Sequence, residues 1–248
     1  PRGEAGLPPY VADLVVSQRS HQQAPTKDWI NDELRRIQRP HGGTICVGAA
    51  GSLLIDKRGA LEGEGSWTHQ YANAANTVNS QDNVIRGSLS MLWYRDIDFD
   101  IPQRHGRAPS PLYDRGRLLH EGLNGIIAVD AYNGREIWRH EIKGLLKAYD
   151  GDELMGVSGT GSNFCIHGDS VYIRDETRCL KLDVKTGALQ AEFMPPKGED
   201  GKPSRWGYIA CVDGILYGSV ADTEHIVTYR YVNRGGDMSR LLTESKSL

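Results

Sequence analysis

Cysteine is scarce in this chain, and what there is of it is scattered. Cys46, Cys165, Cys179 and Cys211 include no CxxC pair, which removes zinc-ribbon and thioredoxin-like readings. Buried free thiols are the default for such residues, and a Cys165–Cys179 bridge between neighbouring strands is the alternative in an exported protein. Long apolar runs are missing too. No stretch reaches the roughly 18 residues that a membrane-crossing helix needs, and Pro1-Arg2-Gly3-Glu4 lacks the apolar core of a signal peptide. Charge of one sign is not in excess: a formal net charge of -3 with no Lys/Arg run leaves no footprint for nucleic acid or an anionic membrane. An initiating Met is also lacking, so the chain is expected to be processed or, as we favour, a piece of a longer polypeptide. What remains is ordinary for a folded domain. The 248 residues are 39% hydrophobic and 25% charged, enough to bury a substantial core.

Two halves of the sequence follow different rules. Residues 1 to about 62 read as α/β: Val11-Ala12-Asp13-Leu14-Val15-Val16 suits a buried parallel strand. A helix follows, with Thr26 as its cap, Ile30, Leu34 and Ile37 at helical spacing, acidic Asp28, Asp32 and Glu33 early and Arg35, Arg36 and Arg39 late. Pro40 and Gly42-Gly43 end it, and Thr44-Ile45-Cys46-Val47 is the next buried strand. From Trp67 onward short alternating runs are divided by Asp, Gly and Asn turns, the pattern of an all-β fold. The glycines between Gly59 and Gly65 mark a connector, so the expected division is 1–62 and 63–248.

The second half repeats. Pro111 to Leu119 followed by Gly125 to Trp138 forms one copy, and Phe164 to Ile173 followed by Cys179 to Gln190 forms another. Asp130 aligns with Asp183 and Gly134 with Gly187, each 53 residues on, while Gly116 aligns with Gly168 at 52. A third copy begins at Ala210, with Gly214 in the corresponding turn. In each copy a Gly supplies a tight hairpin and the apolar run after it is a buried strand near the axis of a propeller. Asp130 and Asp183 are placed to bond turn amides, and Gly134 and Gly187 to bend left-handed. Trp138 is expected to bury its ring between blades with its N–H seeking a partner. Glu192-Phe193 stands there in the second copy, so that blade should dock more weakly.

The run Gly116 to Leu119 with Ala128-Val129-Asp130-Ala131-Tyr132-Asn133-Gly134-Arg135-Glu136-Ile137-Trp138 resembles the repeat of pyrroloquinoline-quinone-type propellers, shared by quinoprotein alcohol dehydrogenases and the outer-membrane assembly lipoprotein propeller. Trp67 to Ser80 is similar to the opening element of those propellers, which implies that Trp67 and Asn76 close or cap a blade. Leu7 to Val16 with Glu33 to Gly43 resembles the later motifs of a class I S-adenosylmethionine methyltransferase, although His41 interrupts the usual Arg-Pro-Gly-Gly ending and no Gly-rich loop precedes them. The expected fold is therefore mainly β: a partial propeller of quinoprotein-type blades behind a small strand-helix-strand segment.

These readings favour a binding or scaffold module of a larger envelope-associated protein, recognising a protein or small molecule on the propeller face together with the rest of its parent chain. A quinone-dependent dehydrogenase is the alternative. It needs a closed ring, calcium held by oxygen ligands and an Asp base, but three copies are too few, adjacent cysteines are absent and no base can be assigned. Methyl transfer is a third reading, for the parent chain. No catalytic or metal-binding residue is assigned, and the cofactor site stays unknown, with pyrroloquinoline quinone plus calcium as the group the resemblance implies. The repeat residues Trp67, Asn76, Gly116, Asp130, Gly134, Trp138, Gly168, Asp183, Gly187 and Gly214 are read as structural. Five of the histidines, His69, His105, His120, His140 and His167, form no HExxH, and Gly156 to Ser162 lacks a nucleophile-elbow context. Alternation in Asp96-Ile97-Asp98-Phe99-Asp100 is read as a strand with Ile97 and Phe99 inward rather than a calcium loop.

Overall fold

Strand, helix and strand follow one another near the N-terminus, in the computed structural model that describes residues 6–17, 29–89, 91–96, 99, 109–145, 164–175, 177–199 and 201–221. β1 (Leu14–Val16) lies parallel to β2 (Thr44–Val47), as the crossover through helix α1 (Asp32–Ile37) requires. The helix is six residues long, and its cap is Asn31, whose Oδ1 accepts the Leu34 N–H at 3.0 Å. Thr26 lies outside the described residues. Asp32 and Glu33 in the first turn and Arg35 and Arg36 in the last turn complement the helix dipole.

An antiparallel β3 (Leu54–Lys57), not anticipated from the sequence, completes a three-stranded sheet in the order β1-β2-β3. One face of it buries Ile45 and Val47. The other stays open, with Leu14, Val16 and Ile55 each at least 60% exposed. This corrects the expectation that β1 is a buried strand. Burial of both faces needs cover on both, and the described chain covers one.

The remaining strands of the described chain, from residue 112 onward, form propeller blades. Blade one is the four-stranded antiparallel sheet β4 (Leu112–Asp114), β5 (Arg117–Gly122), β6 (Gly125–Asp130) and β7 (Glu136–Glu141). Blade two is β8 (Phe164–His167), β9 (Ser170–Asp175), β10 (Arg178–Asp183) and β11 (Leu189–Phe193). Blade three is represented by the hairpin β12 (Arg205–Val212) and β13 (Ile215–Ala221). The first strands β4, β8 and β12 lie side by side and form the innermost row. The strand after each hairpin glycine is thus the second one out, and the strand before the glycine is nearest the axis.

Blades stack face to face. Leu112, Leu119, Ile126, Ala128 and Trp138 of blade one meet Phe164, Ile166, Val171, Ile173, Leu180 and Leu182 of blade two in one apolar core. The opposite face of blade one buries Ile127 and Val129 against Phe99 and Trp93. All six residues of β6 are consequently buried, which explains why Gly-Ile-Ile-Ala-Val-Asp reads as a continuous apolar run instead of alternating. Phe99 points inward as the alternation around it suggests, whereas Ile97, Asp98 and Asp100 lie outside the described residues. Between blades two and three the core is Cys165, Tyr172, Cys179, Ile209 and Cys211.

All four cysteines are free. Cys165 and Cys179 share one face of blade two, but β9 runs between their strands. Two strand spacings place them about 9.5 Å apart, beyond the Cα separation a disulfide spans. The Cys165–Cys179 bridge is thereby excluded.

Candidate functional site

The turns after the first and third strands of each blade gather at one end of the propeller, because antiparallel strands return there. The Ala131 N–H donates to the Gly116 carbonyl in blade one, and the Val184 N–H donates to the Asp169 carbonyl in blade two. Arg115-Gly116 and Asp213-Gly214 have positive φ at both central residues, the type I′ pattern that suits the strand twist. In blade two Gly168 holds the first central position and Asp169 the second, with positive φ recorded for Gly168 alone. That exchange within a two-residue turn is why the hairpin glycines are offset by 52 residues and the rest of the repeat by 53.

The outer turns carry the repeat residues in matching roles. Asp130 Oδ1 accepts the Tyr132 N–H at 2.9 Å, and Asp183 Oδ1 accepts the N–H groups of Lys185 and Thr186, both at 2.9 Å. Gly134 and Gly187 both have φ of 72°. A Cβ on Gly187 would lie 2.7 Å from the Trp138 ring, and a Cβ on Gly134 would lie 2.6 Å from the Trp93 ring. Trp138 Nε1 donates to the Val184 carbonyl at 2.9 Å, and Trp93 Nε1 donates to the Ala131 carbonyl at 2.9 Å. Trp138 therefore seats the outer strand β7 on the glycine turn of blade two, and Trp93 seats the extended segment 91–96 on the glycine turn of blade one. Trp93 was missed in the sequence because the residues around it do not match the repeat. The signal that points to it is the Gly134 turn, whose counterpart Gly187 takes the ring of a Trp from the chain before it. Phe193, where the next such Trp would stand, is 38% exposed, and its carbonyl instead accepts from Trp206 Nε1 at 3.2 Å.

The opening segment crosses the inner row. Trp67 exchanges backbone hydrogen bonds with Tyr113 of β4, and its Nε1 donates to the Gln70 carbonyl. The Thr68 carbonyl accepts the Ile166 N–H of β8 at 2.8 Å. His69 Nε2 accepts the Cys211 N–H of β12 at 3.3 Å. Asn76, at φ 55°, lies beside the Tyr208 hydroxyl of β12. Three successive residues thus touch the inner strands of three blades.

Beside this segment opens a cleft of about 320 Å³, walled by Asp114 and Arg115 of blade one, Ile166 to Gly168 of blade two, Cys211 to Asp213 of blade three, and Thr68, His69 and Ala74. Its size falls in the range of small-ligand sites. Arg115 spans two blades, bonding Asp114 at 2.7 Å and Asp169 at 2.9 Å as well as the Gly168 carbonyl. Burial, and then the nearby His167 ring, pull His69 down to about 4, so it is a neutral acceptor at pH 7. Burial pushes the Cys165 thiol up, Cys179 up to about 12 and Cys211 upward, which makes them unreactive.

The N-terminal sheet docks on the same end of blade one. Arg39 joins Asp13 at 2.7 Å to the buried Asp130 at 2.9 Å, and Asn133 donates to the Val11 carbonyl. His41 Nε2 lies 2.6 Å from Glu64, and its ring fills the space a Cβ on Gly116 would enter. Tyr10 meets the edge of Tyr132, whose hydroxyl is 3.1 Å from that of Tyr113.

The inner row is crossed by the chain itself, and among the described residues no group of three or more His, Cys, Asp or Glu is placed to hold a metal ion. His105 and the Gly156–Ser162 loop lie outside the described residues. Among the described residues no helix is long and apolar enough to cross a membrane.

No family model matches the chain. A curated relative, quinohemoprotein alcohol dehydrogenase ADH IIB of Pseudomonas putida, is 29% identical over 107 residues, covering 40% of this chain and 14% of its own length. Among solved structures, quinohemoprotein alcohol dehydrogenase ADHIIG from Pseudomonas putida aligns with a TM-score of 0.44 at 17% identity, over 63% of this chain and 23% of that one. BamB from Moraxella catarrhalis aligns with a TM-score of 0.35 at 16% identity, over 52% and 37%. The chain spans about a seventh of the length of the curated relative it matches, and its own architecture is a set of stacked four-stranded antiparallel blades.

Proposed function

We propose that this chain is a binding scaffold within a larger envelope-associated protein, presenting the turn end of its blades and the cleft between them to a protein or small-molecule ligand. The observation that carries the reading is the path of Trp67 to His69, which fills with polypeptide the inner row where a cofactor-dependent propeller would need space. A concave site built by turns from three blades suits recognition, since rigid strands position its loops. The repeat residues serve this role by docking blades, and the proposed division of the chain lies near residue 62.

Quinone-dependent alcohol oxidation is the competing reading, favoured by the relatives' names. Incubating the full chain with pyrroloquinoline quinone and calcium and following dye-linked alcohol oxidation separates the two. The scaffold reading expects none, and turnover would overturn it. Methyl transfer belongs, on this proposal, to a parent chain that supplies the Gly-rich cofactor loop. Calorimetry of this chain with S-adenosylmethionine should then give no binding isotherm.

A further inference from the structure

Two of the bonds that fasten blade three to the rest of the molecule end on imidazoles acting as acceptors. His69 Nε2 accepts the Cys211 N–H at 3.3 Å while its Nδ1 lies 2.9 Å from the Thr68 hydroxyl. His167 Nε2 accepts the Gly214 N–H at 2.9 Å. One ring comes from the axial segment and the other from the β8–β9 turn, yet both bonds end on the β12–β13 hairpin. Each needs a nitrogen that carries no proton, because an imidazolium has two donors and no acceptor.

We propose that His69 and His167 form a latch on the β12–β13 hairpin that acid releases: protonation of His69 sets N–H against N–H at Cys211, loosens the hairpin, and opens the cleft wall made by Cys211, Val212 and Asp213. The charged and titratable groups around the two rings are Asp114 and Arg115 from blade one, Asp169 beside Gly168, Asp213 from blade three, and the Cys211 thiol, which Tyr172 also contacts. Asp114 and Asp169 are already paired with Arg115, so they offer an imidazolium little net attraction. Burial of His69, and then the His167 ring beside it, raise the cost of a charge on His69. The latch is therefore closed at neutral pH and loses strength as pH falls from about 6.5 toward 4. It stands whether or not the cleft takes a ligand.

Hydrogen exchange of the full chain, corrected for the intrinsic rate at each pH, tests this. Between pH 7.5 and 4.5, protection of residues 205–221 should fall by roughly 50- to 100-fold, the factor that linkage gives for such a shift, while β5 and β6 keep theirs. In the H69Q/H167Q variant the amide oxygens accept the same N–H groups without titrating, so protection should stay flat. Unchanged protection in the wild type, equal loss in all blades, or the same acid loss in the variant would overturn the proposal. Should the variant fail to fold, NMR titration of the wild type decides. A His69 midpoint near 4 that tracks the Cys211 and Gly214 amide shifts supports the latch, and a midpoint near 6.5 or untracked amides refutes it.

Discussion

Replacing Trp138 with alanine should cost about 4 kcal/mol of stability. The ring is 7% exposed and lies between blades one and two. Burying an indole removes about 150–250 Å² of surface from water, and buried aromatic truncations cost about 3–5 kcal/mol. The Val184 carbonyl also loses its donor, at about 1 kcal/mol. Trp138→Phe keeps much of the ring and removes the donor, so about 1–2 kcal/mol is expected. Gly187→Ala alone should be severe, because its Cβ would strike the ring and the residue sits at φ 72°. With Trp138→Ala already present the clash is gone, and Gly187→Ala should then cost only the backbone strain of about 1–2 kcal/mol. Urea unfolding followed by far-UV circular dichroism measures all four corners of this cycle. Additive effects, or a Trp138→Ala loss below about 1 kcal/mol, would refute the picture of a ring seated on a glycine turn.

Trp93→Ala should weaken blade one in the same way, since Trp93 meets Gly134 and Ala131 as Trp138 meets Gly187 and Val184; proteolysis within residues 91–96 should accelerate. Arg39→Ala leaves the buried Asp130 carboxylate without its cation and should cost about 3 kcal/mol in urea unfolding, more than Arg135→Ala at the exposed end of the same contact. The lowered pKa of His69 means that the opened β12–β13 hairpin binds a proton first, so the local stability of that hairpin is full above about 6.5 and declines toward about 4; the loss, read from the exchange of its amides at several pH values, should approach about 3 kcal/mol at most and nearer 2 because the ring borders an open cleft. Iodoacetamide at pH 8 should leave Cys165 and Cys179 unmodified in the folded chain and alkylate both in urea, as mass spectrometry of the peptides will show.

The blades were legible because each copy restates its own turn chemistry: Asp130 with Gly134, Asp183 with Gly187, and a glycine in each inner hairpin. The β1–α1–β2 crossover was legible from periodicity, but β3 was not, since Leu54-Ile55-Asp56-Lys57 is too short and mixed to signal a strand. The exposure of β1 was unreadable because burial depends on what covers a sheet, and an apolar run looks alike covered or bare. The cleft escaped notice for a different reason. Its walls come from residues remote in sequence, and the two histidines that fasten it carry no spacing motif. Trp67 and Asn76 stand out through resemblance, whereas His69 between them, which accepts from blade three, carries no such signal.

The crossing of the inner row by Trp67 to His69 also dictates an order of assembly. Its contacts reach progressively later parts of the chain, the last over a separation of 142 residues. Contacts of such long range form late, because the intervening loop must lose its freedom before the bond is gained. During synthesis the segment emerges early and has nothing to bind until β4, β8 and finally β12 have left the ribosome. Seating it on all three blades is then expected no earlier than the arrival of β12, the last of the three strands it meets.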